Sequence, residues 1–256
     1  MASNVASRVL EGRRVLVTGS ARGLGLAFTR SLLAASAKVA ICDIRVDTLR
    51  EAEAALRAEG HEVVALPLDL ADPKSVEACA TQAIAQLGGL DGLVNNAAIT
   101  DSGGRPADEL DIDTFDRVMT VNVRGTWLMT RACWKALADS KRGAVVNLAS
   151  DTALWGAPNL IAYVASKGAV VSMTRSLARE MGRDGITVNA IGPGLTLVEA
   201  TEYVPAARHQ LYFDQRAIKR EQTADDVCGS VVFALSDMAR FVTGQLLAVN
   251  GGFVMN

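Results

Sequence analysis

Short apolar runs alternate with longer amphipathic stretches along most of the chain. Residues 14–18 read as a first strand and, past a glycine-rich turn, residues 24–35 as a helix. Residues 38–43 read as a second strand, 48–59 as an alanine-rich helix and 62–68 as a third strand. Asp72-Pro73 then opens another helix, with an N-cap acid followed by proline at the first position. Residues 92–95, 143–148, 185–191 and 245–250 supply further strands. These runs lack polar alternation, as strands buried on both faces of a parallel sheet do. The pattern predicts a Rossmann-like, doubly wound α/β fold in a single domain over residues 1–256. Residues 195–222 break the rhythm: they are polar, with Tyr203, Tyr212 and Phe213 scattered among them. A surface helix pair would fit, but a long excursion directly after a predicted active-site strand is expected to be a substrate lid.

Composition narrows the class. Half of the 256 residues are hydrophobic, enough for one large core. The formal charge of −2 offers no basic field for nucleic acid or acidic membranes. Cys42, Cys79, Cys133 and Cys228 are widely spaced, which suits reduced, buried thiols of a cytoplasmic protein. With His61 and His209 as the only histidines, a histidine-rich metal site is not expected, and no metal is assigned. The start carries no long apolar stretch of the signal-peptide kind, and no apolar run reaches membrane-spanning length.

The candidate chemistry lies in four places. The turn Thr18-Gly19-Ser20-Ala21-Arg22-Gly23-Leu24-Gly25 sits between a strand and a helix. Glycines there let a pyrophosphate approach backbone N–H groups at the helix start. Asp43, about 20 residues on at the end of the second strand, is placed to accept hydrogen bonds from ribose hydroxyls and to repel a 2′-phosphate. That favours NAD, while Arg22 and Arg45 leave NADP as the alternative. Asp69-Leu70 and Asn95-Asn96-Ala97-Ala98 follow the next two strands, where they suit adenine and ribose contacts or plain turns. Last come Ser150, Tyr163 and Lys167. A tyrosine and a lysine four apart share a helix face, so the ammonium is expected to lower the tyrosine pKa for proton transfer. Ser150, at a strand end, is placed to hold the substrate oxygen.

These residues resemble the short-chain dehydrogenase/reductase family in its single-domain branch, over roughly residues 10 to 253. The family's glycine turn appears at Thr18–Gly25, and its Asn-Asn-Ala-Gly motif at 95–98, with Ala98 where glycine is usual. The resemblance implies Asn122, Ser150, Tyr163 and Lys167 as the catalytic set, and Pro193-Gly194 after the sixth strand as a cofactor contact. Val198 stands where the family often has a threonine, with Thr196 nearby. The resemblance further implies that Lys167 binds the nicotinamide ribose, that Asn122 holds a relay water, and that the assembly is a homotetramer.

The flanking residues Asp151, Thr152, Trp155, Leu160, Leu195, Tyr203 and Phe213 are the expected substrate wall. It is mostly apolar, and suits an aryl, alicyclic or similar secondary alcohol and its ketone. An NADPH-dependent 3-oxoacyl thioester reductase is the alternative within the enzyme class. A non-catalytic dinucleotide-binding regulator is the alternative outside it. A serine hydrolase is set aside because no G-x-S-x-G elbow is present.

Overall fold

The computed structural model describes residues 8–101 and 104–255. Seven parallel strands form one sheet in the order β3-β2-β1-β4-β5-β6-β7. They are β1 Arg14–Thr18, β2 Lys38–Asp43, β3 Val63–Pro67, β4 Gly92–Asn95, β5 Ala144–Leu148, β6 Thr187–Pro193 and β7 Leu246–Val249. The helices are α1 Gly23–Ala34, α2 Val46–Ala58, α3 Pro73–Leu87, α4 Ile112–Met119, α5 Thr126–Asp139, α6 Thr152–Trp155, α7 Ile161–Met181, α8 Ala206–Gln215 and α9 Asp225–Leu235. This is the doubly wound fold that the uninterrupted apolar runs predict, with each strand boundary within two residues of the expected one.

The two faces of the sheet bury separate cores. Val15, Val17 and Ile41 face Phe28, Leu32 and Val231 on one side. Leu16, Ala40 and Leu93 face Ala80, Met129 and Leu137 on the other. β4 and β5 are pinned by a buried polar string. The Asn95 amide donates to Asn147 Oδ1 (2.8 Å) and to Thr130 Oγ1 (2.9 Å), and the Asn147 amide donates to Thr174 Oγ1 (2.9 Å). Asn95 is thus a cross-strand tie through both donors of its amide nitrogen, while its Oδ1 is buried without a hydrogen bond among the described residues.

Strand order reverses beside β1, where β2 and β4 leave in opposite directions. In such sheets the crevice past the carboxyl ends of the strands is where ligands sit. Two local features shape it. Asp72 caps α3, accepting from the Lys74 N–H (2.9 Å), with Pro73 at the first helical position. A π-helical turn, Thr120–Gly125, joins α4 to α5, and a side chain at Gly125 would strike Leu70 Cβ at 2.7 Å. The wider turn and the missing Cβ let this helix lie against the loop after β3.

Candidate active site

A cavity of about 540 Å³ runs along the carboxyl ends of the strands. Gly19, Arg22, Gly23, Leu24, Gly25 and Asp43 line one end of it. Asp69 and Leu70, after the edge strand β3, and Asn96, after β4, line it as well, as do Ser150, Tyr163, Lys167, Pro193, Gly194 and Thr196.

The glycine turn is built for close approach. Gly19 has φ +64°, and a Cβ there would lie 2.6 Å from Ala97 Cα. A Cβ at Gly25 would strike the Gly19 carbonyl and, at 2.6 Å, the Asn96 amide. That amide donates to the Thr18 and Gly19 carbonyls (both 2.9 Å), so Asn96 ties the turn to the loop after β4. The result is an open N-terminus of α1 with no side-chain cap, facing the cavity. Free N–H groups at such a helix start suit a pyrophosphate, so the residues present fit a dinucleotide. Asp43 is held by N–H groups from Ala21 (3.2 Å) and Arg45 (3.0 Å), which leaves lone pairs for ribose hydroxyls. Asp69 braces its own turn, accepting from the Ala71 N–H (2.8 Å).

At the other end, Ser150 is fixed by its neighbour: Thr152 Oγ1 donates to Ser150 Oγ at 2.9 Å. Lys167 is buried and donates to the Leu148 carbonyl at 2.6 Å, with its Nζ 5.6 Å from the centroid of the Tyr163 ring. Burial lowers the Lys167 pKa to about 8. The spacing predicts a tyrosine depressed by its lysine, but in the protein alone burial pushes the Tyr163 hydroxyl above its usual value. The hydrogen bond with Ser150 pulls the other way without offsetting it. The lysine is itself desolvated and is held by a backbone carbonyl, which explains the difference.

Asn122 lies in the π-helical turn and does not line the cavity. Its side chain grips the loop after β4, donating to the Ile99 carbonyl (3.0 Å) and accepting from the Ile99 N–H (2.8 Å). It also donates to Ser166 Oγ (3.1 Å), and Ser166 donates to the Tyr163 carbonyl (2.7 Å).

Of the seven residues expected to form the substrate wall, only Tyr203 lines this cavity; Asp151, Thr152, Trp155, Leu160, Leu195 and Phe213 do not. Trp155 packs edge-on against Tyr212 and Phe253, with centroids 6.2 and 5.5 Å away, in an aromatic cluster behind the cavity. Leu195 lines a separate cavity of about 150 Å³. Thr152 is buried and reaches the site only through Ser150. In their place Ile99, Thr100, Val198 and Thr201 line the main cavity, together with Tyr203, which the sequence also marks. Tyr203 donates to the Thr100 carbonyl (2.8 Å), bridging the segment after β6 to the loop after β4. That segment is closed at its base by a Thr196–Gln222 bridge. Phe213, also marked, lines the smaller cavity.

Residues 19–254 match the family model described as enoyl-(acyl carrier protein) reductase. The chain belongs to the short-chain dehydrogenase/reductase family. It is 34% identical to 2-(S)-hydroxypropyl-CoM dehydrogenase 3 of Xanthobacter autotrophicus, over 96% of this chain and 98% of that one. The crystal structure of levodione reductase superposes with a TM-score of 0.89 at 33% identity, covering 94% of this chain and 97% of that one. A short-chain dehydrogenase from Burkholderia cenocepacia in complex with NADP matches with a TM-score of 0.87 at 33% identity, covering 95% and 98%. This short-chain dehydrogenase is therefore an oxidoreductase acting on CH–OH groups, of a family that binds NAD(P). Among the described residues no helix is long and apolar enough to cross a membrane, and no group of three or more His, Cys, Asp or Glu is placed to hold a metal.

Proposed function

We propose that this enzyme interconverts a hydrophobic secondary alcohol, aryl or alicyclic, and its ketone with NAD(H), using Tyr163 as general acid/base. One observation carries the reading: a single cavity has the glycine turn at one end and Ser150, Tyr163 and Lys167 at the other. A nicotinamide dinucleotide, when bound, would supply the hydride acceptor or donor. Gly19, Gly23 and Gly25 would hold the pyrophosphate, while Arg22, Leu24, Asp69, Leu70 and Asn96 would wall the adenosine half. Pro193, Gly194 and Thr196 flank the nicotinamide half.

Ser150 Oγ, oriented by Thr152, donates to the substrate oxygen and polarises it. Tyr163 gives that oxygen its proton in ketone reduction and takes it back in alcohol oxidation. Lys167 recharges Tyr163 from solvent, and Asn122 holds the relay path through its grip on the Ile99 loop. Burial keeps Tyr163 protonated in the protein alone, so the proton needed for ketone reduction is present at neutral pH, though the hydroxyl is a weaker acid than a free tyrosine. Lys167 is charged below about pH 8 and neutral above it. Ketone reduction is therefore expected to fall, and alcohol oxidation to rise, as pH passes about 8. Rates flat from pH 6 to 10 in both directions would remove Lys167 from the relay.

The hydrophobic substrate class rests on the apolar atoms of Ile99, Val198 and Tyr203 in the cavity wall. We assign residues 195–222 as the lid, in one domain with the rest of the chain. NAD is favoured by the Asp43 carboxylate. The second reading, an NADPH-dependent 3-oxoacyl thioester reductase, draws on Arg22 and Arg45, which line the same end. A homotetramer is proposed by family analogy, and a cytoplasmic setting from four free, buried cysteines.

The test is a panel of alcohols and ketones followed at 340 nm with both cofactors, on wild type and Tyr163→Phe. Tyr163→Phe is expected to lose about 10³-fold in kcat while keeping its dinucleotide affinity. Near-wild-type turnover in that variant would overturn the acid/base assignment. A wild type faster with NADPH would overturn the role given to Asp43.

A further inference from the structure

Behind Ser150 lies a buried network that the scheme above does not use. Asp151, the next residue, is 0% exposed. Its N–H donates to the Pro193 carbonyl (3.1 Å), which ties it to the end of β6. Its Oδ1 accepts from the Tyr212 hydroxyl at 2.7 Å, and its Oδ2 is buried without a hydrogen bond among the described residues.

Tyr212 belongs to α8, where it is the one buried residue of an otherwise half-buried or exposed helix. Its ring stacks on Phe253, with centroids 4.1 Å apart and planes 19° apart. Trp155 Nε1 donates to its hydroxyl (3.3 Å), and the Arg216 guanidinium carbon lies 5.4 Å from its ring centroid. Three distant segments thus converge on one tyrosine: the turn after β5, the helix of the lid, and the tail after β7. The aromatic contacts are nondirectional packing, whereas the short O–H···O bond fixes where α8 sits relative to Ser150.

We propose that Asp151 is a positioning residue: through Tyr212 it fixes the lid helix, and with it the Tyr203 wall, against the strand end that carries Ser150. This rests on the reading of 195–222 as the lid and of Ser150 as substrate-holding. Asp151 acts through other groups and touches no reacting atom. Burial raises its pKa to about 7, and the Tyr212 hydroxyl, the Arg216 charge, Asn250 and the Thr152 backbone pull it down without offsetting that rise. Tyr163 is the other titratable group that feels it. Above pH 7 an ionised Asp151 grips Tyr212 with a charge-assisted bond. Below pH 7 the neutral acid grips it weakly.

The experiment follows KM against pH, with amide exchange as the readout free of turnover. Tyr212→Phe keeps the ring and removes the bond. It is expected to raise KM for the alcohol about fivefold at pH 8, with kcat and dinucleotide Kd within twofold, and to speed exchange across Ala206–Gln215. Asp151→Asn keeps a neutral acceptor, so its KM should match the low-pH wild-type value at every pH. The wild-type inflection near pH 7 should vanish in it. The double variant should be no worse than Tyr212→Phe alone. An unchanged KM in Tyr212→Phe, or an inflection near pH 7 that survives in Asp151→Asn, overturns the proposal. If Tyr212→Phe does not fold, the Asp151→Asn profile decides. A wild type with no alcohol turnover would refute the functional reading instead. In that case faster α8 exchange in Asp151→Asn at pH 8 supports the anchor, and unchanged exchange rejects it.

Discussion

Asp91 immediately precedes β4 at the amino end of the sheet, and Asp151 lies past β5 at the carboxyl end. Neither exposes any surface. Asp91 receives Arg14 Nε (2.7 Å), Arg14 Nη2 (3.1 Å), the Arg14 N–H (2.9 Å) and Arg142 Nε (2.9 Å). Burial pushes its pKa up, but these donors overcome burial and hold it below the usual carboxylate range. Asp151 has one short donor, a tyrosine hydroxyl, and its pKa stands near 7. Burial is the leading influence on both, so the number and charge of the partners decide the outcome. The amino end of the sheet is wired for stability. The carboxyl end leaves Asp151 underprovided, beside the residues to which we assign the chemistry.

The strongest way to break this contrast is Asp91→Asn. It strands Arg14 and Arg142 beside a neutral amide, and removing one member of such a buried pair costs about 3 kcal/mol. The arginines are partly exposed, which sets the lower end of the usual range. The sign with pH is clear. A depressed carboxyl contributes stability above its unfolded pKa and loses it as pH falls through the folded value. The deficit of Asp91→Asn in urea unfolding should therefore be large at pH 7 and shrink in acid. KM for the alcohol should be unchanged in the folded fraction. A shift in KM would show that the two ends of the sheet are coupled.

Asp151→Asn should move stability the other way. A raised carboxyl is penalised when ionised, so its stability is fully present below the unfolded pKa and is lost as pH rises toward 7. The variant should match wild type near pH 4 and exceed it by on the order of 2 kcal/mol at pH 8. Urea midpoints across that range measure it. A variant less stable than wild type at pH 8 would mean that the Tyr212 bond outweighs the burial penalty. Gain in stability with loss of substrate affinity is the pattern expected where function holds a group in an unfavourable place.

What the sequence reveals divides along the same line. The strands are legible because buried parallel strands write uninterrupted apolar runs, and the glycine turn because its chemistry is local. Ser150, Tyr163 and Lys167 stand close in sequence, so their meeting is legible too. The π-helical turn is not: its width answers to Leu70 packed on Gly125, far away in the chain. Trp155 reads as a substrate residue until Phe253 and Tyr212 arrive from the other half of the chain to cover it. The raised Tyr163 pKa is equally invisible, since it comes from desolvation by the folded surroundings and not from the spacing to Lys167.

The smallest expected effect concerns Glu199, in the short 3₁₀ turn Glu199–Thr201 within the segment proposed as the lid. Its Oε2 lies 3.6 Å from the position of a Cβ on Gly23, so a carboxylate leans over the glycine turn where a pyrophosphate would sit. Both are anionic, so Glu199 would repel a pyrophosphate bound at that turn. Glu199 is exposed, so water and salt screen the repulsion and the effect is modest. Glu199→Gln should tighten NADH binding about threefold at low ionic strength, as about 0.7 kcal/mol of relieved repulsion would. The gain should fade at 0.5 M salt, whereas the buried Asp151 effects should persist, because ions do not reach that carboxylate. Fluorescence titration of NADH at the two salt concentrations reads both. Weaker binding in Glu199→Gln would mean that this carboxylate holds the lid shut over the cofactor and does not oppose its entry.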